Sequence, residues 1–273
     1  MLSISDIAAF FDRFAPDSLA ADWDNVGLLI GDRSRPAARV MTCLSVSRDT
    51  VDEAIDERAD LVVSHHPIPF RPIKRLTTDS HTGTLVWRLA SAGVSVYSPH
   101  TAFDSAARGI NQRLAEGLGM ASIEPLIPTD PPPALGAAAG ETALGVGRMG
   151  CFAPALPIEE LVARLKRFLK IERLQVVGEK KRVIAKAAIA CGGAGDLFEA
   201  AAAAGCEAFI TGEARFHTCL EAADASVALL LAGHYSSERF AVEALVDELA
   251  REFSSALTQV WASRRERDPL SWA

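Results

Sequence analysis

The segment Ser64-His65-His66-Pro67 closes the apolar run Ala59-Asp60-Leu61-Val62-Val63, so two adjacent imidazoles stand where a buried strand is expected to stop. Neighbours on a strand point to opposite faces, but where the backbone leaves the pleat both rings can turn into one crevice. A second constellation, His100-Thr101-Ala102-Phe103-Asp104, follows the apolar stretch Val94–Ser98. A third, Gly233-His234-Tyr235-Ser236-Ser237-Glu238, follows Ala228–Ala232 and spaces His234 and Glu238 four residues apart, one face of a helix if the helix starts at once. Each has a plainer reading: an accidental surface pair, an Asp104 that only caps a helix, a Glu238 that complements a helix dipole. The coincidence argues otherwise, because four of the six histidines fall at such strand ends. Imidazole with carboxylate suits zinc, iron, manganese or cobalt rather than calcium. Three histidines and two carboxylates exceed the needs of one tetrahedral site. With a bridging carboxylate they could hold two metals roughly 3.5–4 Å apart, an arrangement that activates water and clamps an oxyanion.

The elements that would position these groups alternate between strand and helix. A helix with Ile4, Ile7, Phe10, Phe11 and Phe14 on one face opens the chain and ends at Pro16. Strands are expected at 40–46, 61–63 and 94–98, with helices at 49–58, 82–92 and 104–118. The stretch 122–144 holds Pro125, Pro128 and Pro131 to Pro133, then an Ala/Gly run, and reads as a linker. Strands follow at 145–152, 174–177, 183–191, 208–211 and 228–232, with helices at 157–168, 196–204, 217–223 and 236–253. This alternation predicts an α/β fold of two lobes, each a mixed or mostly parallel sheet flanked by helices. The expected bounds are 1–121, the linker 122–144, a second lobe 145–260, and a loosely held tail 261–273. The second lobe packing back on the first as one unit is compatible with the same pattern.

Composition narrows the function classes. A net charge of −7 argues against a general electrostatic grip on nucleic acid or anionic lipid. The five cysteines form no CxxC pair and lie in or near apolar runs, which reads as buried reduced thiols and a cytoplasmic location. The first fourteen residues carry acids among the apolar positions and lack the basic-then-apolar pattern of a signal peptide. Ala225–Ala232 is too short to span a bilayer, so no membrane attachment is expected.

The sequence also resembles a known family, the GTP cyclohydrolase I type 2 homologues, also called the Ngg-interacting-factor-three-like proteins. The resemblance is carried by Trp23-Asp24-Asn25-Val26-Gly27-Leu28, Ser64-His65-His66-Pro67, His100-Thr101 with Asp104, and Gly147-Arg148-Met149-Gly150. Cys191-Gly192-Gly193-Ala194-Gly195-Asp196, Thr211-Gly212-Glu213, and Gly233-His234-Tyr235 with Glu238 complete it, in the family's order over nearly the whole chain. It implies a ring-shaped homohexamer and, in each subunit, a dinuclear metal site at the lobe interface. It also implies a short form lacking the inserted middle domain. By resemblance, His65, Asp104 and Glu238 hold one divalent metal, and His66, His234 and Glu238 the other, with Glu238 bridging. His100 would orient a ligand or meet a small-molecule substrate, which the family name suggests is a nucleotide. The chain departs at Ser45, where many members carry an acid; that departure bears on a contact around the ligands or to substrate and removes none of the five ligands.

Other residues have plainer readings beside their functional ones. Cys191–Asp196 lacks the Lys-Ser/Thr of a phosphate loop and reads as a tight turn. Glu213 is a candidate general base or ligand-orienting residue, or a surface acid. His217 reads as structural, and Trp23 as a packing anchor. The function expected is a metal-dependent hydrolase acting on GTP, phosphoesters or amides; the alternative is a non-catalytic metal-binding scaffold or regulatory partner. No Ser-His-Asp or Cys-His pattern competes.

Overall fold

The computed structural model describes residues 1–129 and 144–271; most of the expected linker, including Pro131 to Pro133, and Trp272 lie outside the described residues. In chain order the main elements are α1 (Ile4–Phe14), β1 (Gly27–Ile30), β2 (Arg39–Cys43), α2 (Arg48–Asp56), β3 (Leu61–Ser64), α3 (His81–Ser91), β4 (Ser95–Ser98), α4 (His100–Ser105), α5 (Ile110–Gly117), β5 (Ala121–Glu124), β6 (Ile127–Pro128) and β7 (Gly145–Val146). Then come β8 (Arg148–Pro157), α6 (Ile158–Leu169), β9 (Gln175–Val177), β10 (Val183–Ala190), α7 (Phe198–Ala203), β11 (Ala208–Thr211), α8 (Phe216–Asp224), β12 (Ala228–Leu231), α9 (His234–Glu252) and β13 (Gln259–Ala262). The chain forms two compact units, one of Met1–Phe103 with Ala241–Ala273, the other of Asp104–Phe240.

The first unit is built on a sheet of order β1-β4-β3-β2-β13. β4, β3, β2 and β13 run parallel, and β1 pairs antiparallel with β4. Parallel strands are covered on both faces, which is why β3 reads as an unbroken apolar run and is buried throughout. On one face Met41, Val62, Val96 and Trp261 pack with Val51 of α2 and Leu85 and Leu89 of α3. α1 contributes Phe11, stacked on Tyr97 of β4 with ring centroids 4.6 Å apart. Ser3 caps α1 in a reciprocal box with Asp6.

The second unit carries the order β5-β8-β10-β11-β12-β9, parallel across β10-β11-β12 and antiparallel at its flanks. Its core joins Ala188, Phe209 and Leu229 of the sheet to Phe198, Ala201 and Ala222 of the helices. Both sheets are thus mixed and flanked by helices, the expected α/β class.

The unit bounds differ from those expected at 121 and 145. α9 runs across the division, and the residues after Phe240 belong with the first unit, where Thr42 of β2 donates to the Val242 carbonyl at 2.9 Å. The tail is not a loose extension. Its first residues form β13, in register with β2 from Gln259 opposite Arg39 to Ala262 opposite Thr42. Beyond the strand, the buried Glu53 carboxylate accepts from Trp261 Nε1 (3.1 Å), Ser263 Oγ (2.6 Å) and the amides of Arg264 and Arg265 (both 3.0 Å at the nearer oxygen). Hydrogen bonds to a charged acceptor are the strong ones. Glu53→Ala is therefore expected to cost about 2–3 kcal/mol and to open the C-terminal segment to protease; limited proteolysis beside a urea titration checks both.

The single helix expected over 104–118 is two. α4 ends at Ser105 because the Arg148 guanidinium takes the Ser105 and Ala106 carbonyls at 3.3 and 2.8 Å. α5 then restarts behind an extended Gly109. Likewise the strand expected to reach Val46 stops at Cys43, because the amides of Leu44 and Ser45 turn to the Glu266 carboxylate. Among the described residues no helix is long and apolar enough to cross a membrane.

Candidate metal centre

In the first unit the sheet delivers three imidazoles to one place. His65 and His66 follow β3, and their amides continue the parallel ladder to the Cys43 and Leu44 carbonyls at 2.9 and 2.8 Å. Two serines lock the backbone there: Ser98 Oγ donates to the His65 carbonyl and Ser64 Oγ to the His66 carbonyl, both at 2.7 Å. The chain leaves the pleat, and the two rings lie 5.0 Å apart between centroids. His100, two residues past β4, brings the third ring to 5.2 Å from His65 and 5.5 Å from His66. One donor atom from each of the three lies within 4.8 Å of the others.

His100 is held by a residue whose role spacing did not reveal. Asp24 Oδ1 lies 2.7 Å from His100 Nδ1, and its other oxygen accepts from the Thr101 amide at 3.1 Å and from the Thr101 hydroxyl. Burial opposes ionisation of Asp24, but the hydrogen bonds from His100 and Thr101 outweigh it and pull its pKa down to about 2. The carboxylate is thus a fixed anion that turns one His100 nitrogen toward itself and leaves Nε2 for other work. His100 stands at φ +21° as α4 begins, an uncommon backbone setting for a residue with a side chain. Trp23 is not a packing anchor: it is 64% exposed, near Phe70 (5.9 Å) and the edge of His100 (6.0 Å).

The second unit carries an imidazole–carboxylate group of its own. α9 begins at His234, so His234 and Glu238 share a face one turn apart, with Nε2 3.3 Å from Oε2. Glu213, just past β11, places its carboxylate 2.9 Å from His234 Nδ1. The hydrogen bond to Glu238 is the largest of several effects that push the His234 pKa up to about 9, so a cation taken up at Nε2 displaces a proton. Asp104, the fifth expected ligand, is in this unit near the end of α4. Its carbonyl accepts from Asn111 Nδ2 at 3.1 Å, and Asn111 Oδ1 in turn accepts the Cys191 amide at 2.8 Å. Burial pushes the Cys191 thiol well up, helped by the charges of Glu238 and Asp104. Cys191 is therefore an inert thiol beside both carboxylates.

Gly192 is more than turn chemistry. It sits at φ +67°, and a Cβ there would fall 2.0 Å from Glu238 Oε1 and 3.4 Å from His234 Nε2. Gly192→Ala is expected to displace the Glu238 carboxylate and weaken metal retention at least tenfold, as misplaced ligands do, while the fold survives. Metal content after dialysis against a chelator, with circular dichroism as the control, checks this. His217 is exposed on α8, beside a small cavity of about 280 Å³ that Asp196 and Arg215 also line.

Imidazoles beside oriented carboxylates fit a divalent transition ion, and the Asp24–His100 and Glu213–His234 contacts are those that fix metal-binding rings. Donor clusters at the carboxyl ends of parallel strands define the chain as an α/β protein with candidate metal sites. The family model described as Duf34/NIF3 (NGG1p interacting factor 3) matches residues 2–269, and the chain belongs to that family. A Clostridium acetobutylicum protein named GTP cyclohydrolase 1 type 2 homolog is 32% identical over 237 residues, 87% of this chain and 85% of its own. The Drosophila melanogaster NIF3-like protein 1 is 30% identical over 95% of this chain and 85% of its own. A crystallised Staphylococcus aureus hypothetical protein superposes with a TM-score of 0.87 at 26% identity, covering 100% of this chain and 99% of its own.

Proposed function

We propose that this chain binds two divalent metal ions, zinc, iron, manganese or cobalt, and uses them for hydrolysis of a small molecule. The ligand set is His65, His66, Asp104, His234 and Glu238, with Glu238 shared. The observation that carries the reading is the convergence of His65, His66 and His100, whose donor atoms lie within 4.8 Å of one another; the His234–Glu238 pair supports it. Two such ions supply Lewis-acid polarisation and a coordinated water of lowered pKa. The chain's own groups do the rest. Asp24 orients the His100 ring, so that Nε2 can hold or hand on a proton at the substrate. Glu213 does the same orienting work for His234. Trp23, exposed beside His100, offers a flat apolar face to an incoming molecule.

The relatives' name suggests GTP or another nucleotide as substrate, the resemblance suggests a hexameric ring, and the cysteine usage suggests the cytoplasm. The test begins with metal analysis of the purified protein. Turnover of GTP and of phosphoesters is then measured with and without chelator, and light scattering gives the assembly. Metal bound with chelator-sensitive turnover supports the reading. Metal bound without turnover, in a protein whose His66→Ala variant folds normally, leaves a metal-binding scaffold instead.

A further inference from the structure

We infer that Glu266, from the C-terminal segment, is a positioning residue for His66 and acts through Ser45. The inference rests on the metal-site reading above for its functional meaning, and its geometry lies within the first unit. Ser45 Oγ is 2.7 Å from His66 Nδ1. For His66 to give its Nε2 lone pair to a cation, Nδ1 must carry the proton, and Ser45 Oγ must accept it. Ser45 reaches that point only because its backbone is held. The two oxygens of Glu266 accept the amides of consecutive residues, Leu44 at 3.0 Å and Ser45 at 2.7 Å.

Glu266 is itself held. Its amide donates to Ser263 Oγ at 3.1 Å, and Ser263 Oγ donates to the buried Glu53 carboxylate at 2.6 Å. The Ser263 amide adds one more rung to the ladder with β2, donating to the Thr42 carbonyl at 2.7 Å. A run of hydrogen bonds, charge-assisted at the Glu53 and Glu266 carboxylates, therefore links α2, the end of β13, the turn after β2 and one imidazole of the cluster. An acidic side chain at position 45 could hold the His66 ring directly. A serine has a shorter reach and no charge, so it needs a turn set by something else, and Glu266 supplies that.

The test reads the His66 ring in the protein freed of metal, so that it stands whether or not the metal reading does. Long-range proton–nitrogen correlation at about pH 8.5, where an ordinary imidazole is neutral, reports the tautomer, with the His66→Gln spectrum assigning the signals. The wild-type ring is expected as one dominant tautomer, fixed by the Ser45 hydroxyl at Nδ1. Ser45→Ala and Glu266→Ala should each shift it toward a tautomer mixture, Ser45→Thr should restore it, and the double variant should match Ser45→Ala alone. Glu266→Gln, which keeps the side-chain volume, should lie between and serves if the alanine variant folds poorly. Wild-type ring shifts in both Glu266 variants would overturn the inference, as would wild-type shifts in Ser45→Ala. In chelator competition for zinc, Ser45→Ala and Glu266→Ala are each expected to weaken retention about 10–100-fold, with no further loss in the double variant. A wild-type protein that retains no zinc would sink the metal reading, while the ring shifts would still decide the role of Glu266.

Discussion

Glu238→Ala should release both metals, lowering retention by more than about 100-fold, beyond the 10–100-fold typical of losing an outer hydrogen-bond partner. The side chain is 4% exposed, so its carboxylate is not a surface charge that solvent could replace. Its position is set locally, four residues after His234 on the first turns of α9, and Gly192 supplies the open space against its Oε1. A shared ligand makes a sharper prediction than stoichiometry alone. His65→Ala and His66→Ala should each lose one metal preferentially, whereas Glu238→Ala should lose both. Metal content per chain by mass spectrometry, after dialysis at fixed chelator, separates the three variants. One full equivalent retained by Glu238→Ala would remove the bridging assignment. Unchanged content in both histidine variants would remove the split.

Arg148→Met is expected to cost about 4–5 kcal/mol, a large share of the 5–15 kcal/mol that holds a typical domain together. Arg148 is fully buried. Its guanidinium donates from Nε to Gln112 Oε1 at 2.8 Å and from Nη1 to the Gly145 and Gly147 carbonyls at 2.8 and 2.7 Å. Nη2 donates to the Ser105 and Ala106 carbonyls at 3.3 and 2.8 Å. Methionine fills similar volume and strands those acceptors, at about 1–3 kcal/mol for each buried group left unmet, with neighbours not simply additive. Burial pulls the guanidinium pKa down to about 10, still charged near neutrality. Lysine, a point charge without the planar fork, should recover only part of the loss. The urea midpoint at constant slope measures it. Because α4 ends on this side chain and Asp104 lies one residue before Ser105, the methionine variant should also bind metal more weakly. A stability loss under about 1 kcal/mol would show that the carbonyls find water instead.

The same residues show how much could be read without the fold. The strand-end histidines were legible because a buried parallel strand announces itself as an apolar run and stops where polar residues begin. His234 and Glu238 were legible because four-residue spacing is a local property of a helix. Asp24, Asn111 and Glu266 were not, since no local spacing says which distant group a carboxylate or side-chain amide meets. The helix expected over 104–118 failed for a related reason: Arg148, more than forty residues after Ser105, takes the carbonyls that would have extended it.

By itself the sequence determined the α/β class, the positions of most strands and helices, and the donor types at three strand ends, because each depends on short-range patterning of apolar and polar residues. Only the tertiary structure decided that β13 completes the first sheet and that the tail is pinned by Glu53. It alone showed His100 gathered with His65 and His66 under the hold of Asp24, and His66 reached from residue 266 through Ser45. These are pairings between residues tens to hundreds of positions apart, and strand partners and hydrogen-bond acceptors at such range are chosen by packing rather than by any local preference of the chain.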